Sequence, residues 1–236
     1  MLAWAPPQAL KRIFEPRALP FQPRLEPEQK IVWRRPAVVG EAGREFVIAD
    51  DRRNVYRVGI KEQPRPFLAE QAKAQLDVQL TSGLAAVGDT VYGVTQSANK
   101  STDVVVAIRV ADLKVVKEWD MQGGRVTWGP ERAGNAVLVA VDGKQLRCFE
   151  AGQKEGWEKP APALGPPCGP PLVVGDAFVF ASVEGFLWRV SGTSGAQLGK
   201  SEVGEPLSSS LVAYGERQLL CAGDGVLHVI PMPSGP

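Results

Sequence analysis

Short apolar runs alternate with glycine-containing turns along this chain, and the layout recurs in five segments. Each segment begins with a turn glycine followed by a near-continuous apolar run, such as Ala-Phe-Val-Phe-Ala from Ala177 to Ala181. Runs of this kind are typical of β-strands that are buried on both faces. The turn glycines are Gly43, Gly88, Gly134, Gly175 and Gly215, which lie 40 to 46 residues apart. This period predicts a repeat protein.

A second turn follows the apolar run in each segment and predicts a hairpin. In three segments the turn is an acidic residue followed by glycine, which between apolar runs is a strong signal for a tight β-hairpin. Arg53-Asn54 takes this place in the first segment, and the second segment carries a longer loop from Gln96 to Asp103. A third apolar strand comes next in every segment. The acidic-glycine pairs are Asp142-Gly143, Glu184-Gly185 and Asp224-Gly225.

A more polar fourth strand is visible in four of the segments, at residues 68–80, 115–119, 156–159 and 196–202. In 68–80 the apolar residues alternate, which favours a strand, although Leu68, Ala72 and Leu76 also suit one face of a helix. Four antiparallel strands in each unit of this length are the pattern of a β-propeller blade. A solenoid of hairpins has the same period but does not explain the recurring gradient from an apolar second strand to a polar fourth strand.

The sequence therefore predicts an all-β fold, a β-propeller of about five four-stranded antiparallel blades. The predicted blades are residues 31–80, 81–123, 124–165, 166–206 and 207–236. Residues 1–30 form a proline-rich arm. Within the arm, residues 17–22 suit an edge strand that completes the last blade and closes the ring. The alternative is that the five blades are part of a larger propeller with six to eight blades.

The third strand of the fourth segment and the turn after it carry a family pattern. Residues 187–198 read Leu-Trp-Arg-Val-Ser-Gly-Thr-Ser-Gly-Ala-Gln-Leu, which resembles the repeat of the pyrroloquinoline-quinone-type β-propellers, with Ser194-Gly195 in place of the family's Thr-Gly. Residues 105–116 and 146–152 are looser copies. The resemblance implies a propeller over residues 31–230. That family includes quinone-dependent dehydrogenases, a lipoprotein scaffold of outer-membrane protein assembly, and propellers fused to bacterial signalling kinases.

The resemblance does not extend to a cofactor site. Cofactor-binding members of the family are usually eight-bladed and carry a calcium ion held by acidic and amide side chains, a catalytic aspartate, and often a disulfide between adjacent cysteines. This sequence has no adjacent cysteine pair, and no set of Glu, Asn and Asp stands out from the turn residues. We therefore expect a branch of the family that binds no cofactor and no metal and is not an enzyme.

Composition narrows the function classes further. The 27 Lys and Arg residues nearly balance the 26 Asp and Glu residues, and a net charge of +1 argues against nucleic-acid binding. No apolar run approaches the roughly 18–20 residues of a membrane helix. The three cysteines show no CxxC spacing, which favours buried thiols in a reducing compartment. Without a secretory signal pattern at its start, the chain is expected to be cytoplasmic, unless it is a piece of a longer protein.

Candidate binding residues come from the turns, because rigid β-scaffolds concentrate binding residues on their loops. Arg52 and Arg53 form a dense basic pair at the second turn of the first segment, and Asn99 and Lys100 occupy the loop that departs most from its repeat mates. The basic pairs Arg34-Arg35 and Arg52-Arg53 predict a positive rim that recruits an acidic protein segment, and the loop with Asn99 and Lys100 is the predicted contact with a partner. Solvated surface charge is the alternative interpretation of the basic pairs. The six tryptophans are expected to pack between blades, and His228 to be structural.

Two functional hypotheses follow. The first is a non-catalytic propeller that binds another protein, as a scaffold or as the sensor module of a longer chain. The second is a propeller that binds a quinone or a sugar over the mouth of its channel, as an enzyme or a lectin.

Overall fold

Twenty antiparallel strands form five β-sheets in this computed structural model, which describes residues 21, 23, 30–40, 43–62, 66–97, 99, 101–215 and 218–234. We number the sheets in chain order. Sheet 1 contains β1 (Ala37–Val39), β2 (Glu45–Ala49), β3 (Asn54–Lys61) and β4 (Phe67–Gln75); sheet 2 contains β5 (Ala85–Val87), β6 (Thr90–Gln96), β7 (Asp103–Arg109) and β8 (Val115–Asp120); sheet 3 contains β9 (Val126–Ala133), β10 (Ala136–Val141), β11 (Gln145–Glu150), β12 (Lys154–Glu155) and β13 (Ala161–Pro162); sheet 4 contains β14 (Leu172–Val174), β15 (Ala177–Ala181), β16 (Phe186–Ser191) and β17 (Gln197–Glu202); sheet 5 contains β18 (Val212–Tyr214), β19 (Gln218–Gly223) and β20 (Val226–Pro231).

Sheets 1, 2 and 4 have four strands in sequence order, as expected for propeller blades. Tight turns between consecutive strands favour this order, and sheets 3 and 5 show the clearest examples. Asp142 and Gly143 both have positive φ, as do Asp224 and Gly225, which is the backbone of the hairpin turn that matches the twist of paired strands. The prediction of an all-β propeller is confirmed.

In the segment 68–80 the sequence pattern suited either a strand or a helix, and the structure has a strand over the first part of the segment. Strand β4 pairs with β3 from Phe67 to Gln75, and the following residues form the connection to sheet 2.

The third sheet departs from the predicted fourth strand at 156–159. Two short strands, β12 and β13, pair with β11 on either side of that segment. Trp157 interrupts the pairing, because its buried ring turns toward sheet 4 and its Nε1 donates to the carbonyl of Gly192 at 2.9 Å. Pro160 lies three residues after Trp157 and has no N–H to donate to a neighbouring strand, which also opposes a continuous strand here.

The sheets pack face to face in chain order, and the core consists of the layers between them. Separate apolar clusters join sheets 1 and 2, sheets 2 and 3, sheets 3 and 4, and sheets 4 and 5. Within the described residues, no such cluster joins sheet 5 to sheet 1. The described tryptophans lie in these clusters or in the cluster on the outward face of sheet 1, and Trp188 stacks on Phe180 with ring centroids 5.0 Å apart. Trp4 lies outside the described residues.

The closing strand proposed for residues 17–22 lies outside the described residues, apart from Phe21. That side chain is buried against sheet 1, with its ring centroid 5.8 Å from both Trp33 and Tyr56. Among the described residues, β20 has no strand on its outer edge. Closure of the ring by the arm therefore stays a prediction.

Candidate functional site

The turns between the second and third strands of the sheets, which carry the predicted binding residues, lie on one face of the molecule. Because the strands of each sheet are antiparallel, the turn between the second and third strands emerges on the same side as the connection to the next sheet. Backbone hydrogen bonds tie the two together: Leu76 N donates to Arg53 O at 2.8 Å, and Val203 N donates to Gly185 O at 2.9 Å. We call this surface the turn face. Its described residues are 50–53, 76–84, 97, 99, 101–102, 121–125, 142–144, 163–171, 183–185, 203–211 and 224–225.

The turn that carries Arg52 and Arg53 is built on a buried carboxylate. Asp50 Oδ1 accepts hydrogen bonds from the backbone N–H groups of Arg52 and Asn54, both at 2.8 Å. Asp50 Oδ2 accepts from Asn54 Nδ2 at 2.7 Å and from the Tyr56 hydroxyl at 3.3 Å. A buried carboxylate with four donors is well compensated for its desolvation. This network holds the turn in one conformation.

Tyr56 remains a hydrogen-bond donor throughout the physiological pH range. Burial raises the pKa of its phenol to about 12, and the negative charge of Asp50 adds to the shift. The phenol therefore keeps its proton near neutrality and remains able to donate to Asp50.

The two arginine side chains on this turn are exposed, and neither forms an ion pair with a carboxylate of the described residues. Arg52 Nη2 donates to the Lys30 carbonyl at 3.2 Å, and Arg53 Nη1 donates to the Asp77 carbonyl at 3.4 Å. Among the described residues, no carboxylate oxygen lies within 4.0 Å of either guanidinium. The structure thus presents two adjacent cationic forks on a fixed turn.

Asn99 is used mainly to shape its own loop. Its Oδ1 accepts hydrogen bonds from Ser97 Oγ at 2.7 Å, from Ser101 N at 3.0 Å and from Ser101 Oγ at 2.6 Å. Ser97 N donates to Thr102 O at 3.0 Å and closes the loop. The side-chain amide of Asn99 is exposed, and its nitrogen makes no hydrogen bond with the described residues. Lys100 lies outside the described residues.

A partly buried ion pair lies beside this loop and was not predicted from the sequence. Asp103, which begins β7, is buried, and its carboxylate accepts from Arg125 Nη1 and from Val126 N, each at 2.8 Å. These bonds join sheets 2 and 3 at the turn face. The detectable signal was an aspartate placed directly before an apolar strand and after a long loop, but its partner lies 22 residues away and no local pattern identifies it.

The predicted binding residues occupy one face but not one cluster. Arg52 and Arg53 are adjacent in sheet 1, whereas Asn99 lies on the corresponding turn of sheet 2. Within the described part of the chain, no hydrogen bond or ion pair joins the two turns. The turn face therefore offers these residues as separate contact points.

The described residues contain no arrangement of three or more His, Cys, Asp or Glu side chains able to hold a metal ion. In the same residues, no helix has the length and apolarity needed to cross a membrane. Burial raises the pKa of the Cys148 thiol to about 12 and that of Cys168 to about 11. His228 is partly buried, with its Nε2 3.6 Å from Glu205 Oε2.

Comparison with known proteins identifies the fold. No protein-family model and no curated protein matches the chain. Among solved structures, the chain is similar to BamB from Moraxella catarrhalis, a β-propeller, with 16% sequence identity and a TM-score of 0.60 over 85% of this chain. It is also similar to the computationally designed Ika8 protein, with 13% identity and a TM-score of 0.53 over 80% of this chain. The chain spans 58% of BamB and 56% of Ika8. The likeness to BamB supports a pyrroloquinoline-quinone-like β-propeller fold.

Proposed function

We propose that this chain is a non-catalytic β-propeller that binds another protein at the turn face, as a scaffold or as the sensor module of a longer protein. The observation that carries the proposal is the pair of exposed guanidinium groups of Arg52 and Arg53, which stand on a rigid turn without a carboxylate partner among the described residues. The likeness to BamB supports a scaffold in the general sense that both are propellers.

The chemistry of the turn favours an acidic segment as the bound partner. A guanidinium is a planar fork that matches a carboxylate and forms two parallel hydrogen bonds with it. Because Asp50 fixes the backbone of the turn before any partner arrives, little backbone conformational entropy is lost when the partner binds. The net charge of the chain is only +1, so attraction is local to this turn rather than spread over the surface.

The β6–β7 loop, in which residues 97, 99, 101 and 102 are described, supplies the second contact on this face. Its backbone is fixed by Asn99 Oδ1, and the exposed amide of Asn99 is positioned for a carbonyl or carboxylate of the partner. A peptide long enough to pass from sheet 1 to sheet 2 would reach both turns. Asn99 adds specificity through a neutral hydrogen bond, and the arginines supply most of the electrostatic attraction.

The test is a binding titration with a fluorescein-labelled peptide rich in glutamate and a neutral peptide of equal length. We expect the acidic peptide to bind and its affinity to fall as salt is raised, since exposed charges are screened within about 8–10 Å at physiological ionic strength. The double variant R52A/R53A should weaken binding by about tenfold or more, which corresponds to about 1.4 kcal/mol.

A matched control separates the turn face from charge in general. Arg132 is also an exposed arginine with a backbone-carbonyl partner, because its Nε donates to Gly134 O at 3.0 Å, but it lies at the first turn of sheet 3, on the opposite face. R132A should leave the titration unchanged. Equal losses from both sets of variants, or equal binding of the neutral peptide, would contradict the proposal.

A further inference from the structure

The charge of the turn face changes from sheet to sheet at one position of the repeat. This position is the residue at which the chain leaves the second turn and enters the third strand, and in sheets 1 to 5 it is occupied by Arg53, Asp103, Lys144, Gly185 and Gly225. In sheets 1 to 4 its backbone carbonyl accepts a hydrogen bond from the connection to the following sheet, and the donors are Leu76 N, Met121 N, Ala163 N and Val203 N, at 2.8 to 3.0 Å. The backbone at this position is therefore equivalent in the four sheets.

Lys144 is the exposed cation at this position in sheet 3. Its backbone is held on both sides, because its N–H donates to Val141 O at 3.0 Å and its carbonyl accepts from Ala163 N at 2.8 Å. Among the described residues, its ammonium group makes no hydrogen bond or ion pair. The carboxylate of Asp142, two residues earlier, accepts from Arg125 N at 2.8 Å instead. Lys144 thus presents a positive charge on a fixed turn, as Arg53 does in sheet 1.

Sheet 2 does not interrupt this positive side of the turn face. The residue at the shared position is Asp103, which is buried, and its charge is met by the guanidinium of Arg125 at 2.8 Å. The Arg125 side chain is 44% exposed and belongs to the connection between sheets 2 and 3. The exposed groups over sheets 1 to 3 are therefore cationic at Arg53, Arg125 and Lys144.

The turn face over sheets 4 and 5 has the opposite charge. Glycine occupies the shared position in both sheets, and the residue before it is Glu184 or Asp224, each exposed and without an ion pair among the described residues. From residue 163 onward, the described segments of the turn face contain no lysine or arginine. An acidic segment is repelled from this half of the face, and repulsion of this kind restricts where a partner binds.

We propose that Lys144 is a binding residue for the acidic partner segment, and that the segment crosses sheets 1 to 3 and ends before sheet 4. This inference rests on the protein-binding function proposed above and defines the footprint of the partner. Stacked sheets lie about 10 Å apart, so the turns of sheets 1 and 3 are separated by at least about 20 Å. Since an extended chain covers about 3.3 Å per residue, a segment of about seven residues or more is needed to reach from Arg53 to Lys144.

The test compares a four-residue and a ten-residue glutamate peptide, each labelled with fluorescein, in anisotropy titrations of the full chain. Only the longer peptide reaches Lys144 while it is bound at Arg52 and Arg53, and a second contact adds affinity only when the linking chain spans both sites. We expect K144A to weaken binding of the ten-residue peptide by about threefold, as for an exposed ion pair, and to leave the four-residue peptide unchanged.

The matched control is K114A. Lys114 is also an exposed lysine without an ion pair among the described residues, but it lies beside the β7–β8 turn on the opposite face. K114A should leave both titrations unchanged. Equal losses from K114A and K144A would overturn the inference, because they would report the net charge of the chain rather than a contact.

A variant with the opposite effect completes the test. E184K replaces the first repelling carboxylate by a cation and should strengthen binding of the ten-residue peptide, and an unchanged or weaker affinity would contradict the repulsion. If R52A/R53A weakens both peptides while K144A weakens neither, the footprint is wrong and the proposed binding at the turn face stands. If R52A/R53A leaves both peptides unchanged, the proposed function itself fails, and this inference fails with it.

Discussion

Two turn glycines that look equivalent in sequence should differ in what a single methyl group does to stability. Gly185 and Gly225 each follow an acidic residue at the second turn of their sheets, with φ of +86° and +80°. A Cβ on Gly225 would meet no atom within 4 Å, whereas a Cβ on Gly185 would lie 2.3 Å from the backbone oxygen of Glu205. The substitutions G185A and G225A therefore share the backbone strain and differ in the overlap.

The magnitudes follow from these two terms. An L-residue held in the left-handed region costs about 1–2 kcal/mol, which is the whole effect expected for G225A. Overpacking against a fixed neighbour adds typically about 1–3 kcal/mol, so G185A should cost about 2–5 kcal/mol. Glu205 cannot withdraw easily, because Val203 N donates to Gly185 O at 2.9 Å and ties the two segments together.

The assay is urea denaturation followed by circular dichroism, with thermal melts in parallel. For a chain of this size, each kcal/mol lowers Tm by roughly 2–4 °C. Equal losses for the two variants would refute the reasoning, because they would show that the approach of Glu205 to Gly185 does not constrain the fold. A G225A variant as stable as the native chain would show that this turn can relax to a negative φ.

Three further outcomes are expected. D103N should lower the free energy of unfolding by about 1–3 kcal/mol, because it weakens the hydrogen bonds that the Asp103 carboxylate accepts from Arg125 and Val126. D112N removes a charge from an exposed ion pair and should lower it by less than about 1 kcal/mol in the same urea titration. Burial raises the pKa of Cys148 from its ordinary 9.0 to about 12, so as the pH rises the unfolded chain loses this proton before the folded chain does. The free energy of unfolding should therefore fall above about pH 9. Denaturation curves measured over a pH series test this, and a free energy of unfolding that rises above pH 9 would contradict it. Pyrroloquinoline quinone added with calcium should leave Tm unchanged, and an increase would favour the alternative of a quinone-binding propeller.

The division into sheets was predictable because it depends on local chemistry. An acidic residue followed by glycine between apolar runs specifies a hairpin whatever lies around it, and Asp142-Gly143 and Asp224-Gly225 form the expected turns with positive φ at both residues. The failure at 156–159 has a non-local cause. Trp157 is polar enough to suit an outer strand, but its indole is held by the carbonyl of Gly192 in the next sheet, and nothing near it in the sequence indicates that bond.

The candidate site was predictable only in outline. Exposed arginines on a turn can be read from the sequence, and Arg52 and Arg53 do lie on the surface with the β6–β7 loop. What makes the turn rigid is the Asp50 carboxylate, whose four donors are brought together by folding. Asn99 looked like a binding residue, yet most of its hydrogen-bonding capacity serves the loop itself.

Leu187 and Leu227 show why a repeat sequence determines its sheets more firmly than its assembly. Both residues follow a glycine turn by two positions, both lie on the third strand, and both point toward the place of the next sheet. One is fully buried and the other is 66% exposed, because among the described residues only Leu187 has a further sheet packed against it. Strand pairing within a sheet is set by residues near one another in the chain, whereas burial of its face depends on which sheet is stacked against it. The same local pattern therefore specifies the strands of a sheet but does not specify which surface packs against that sheet.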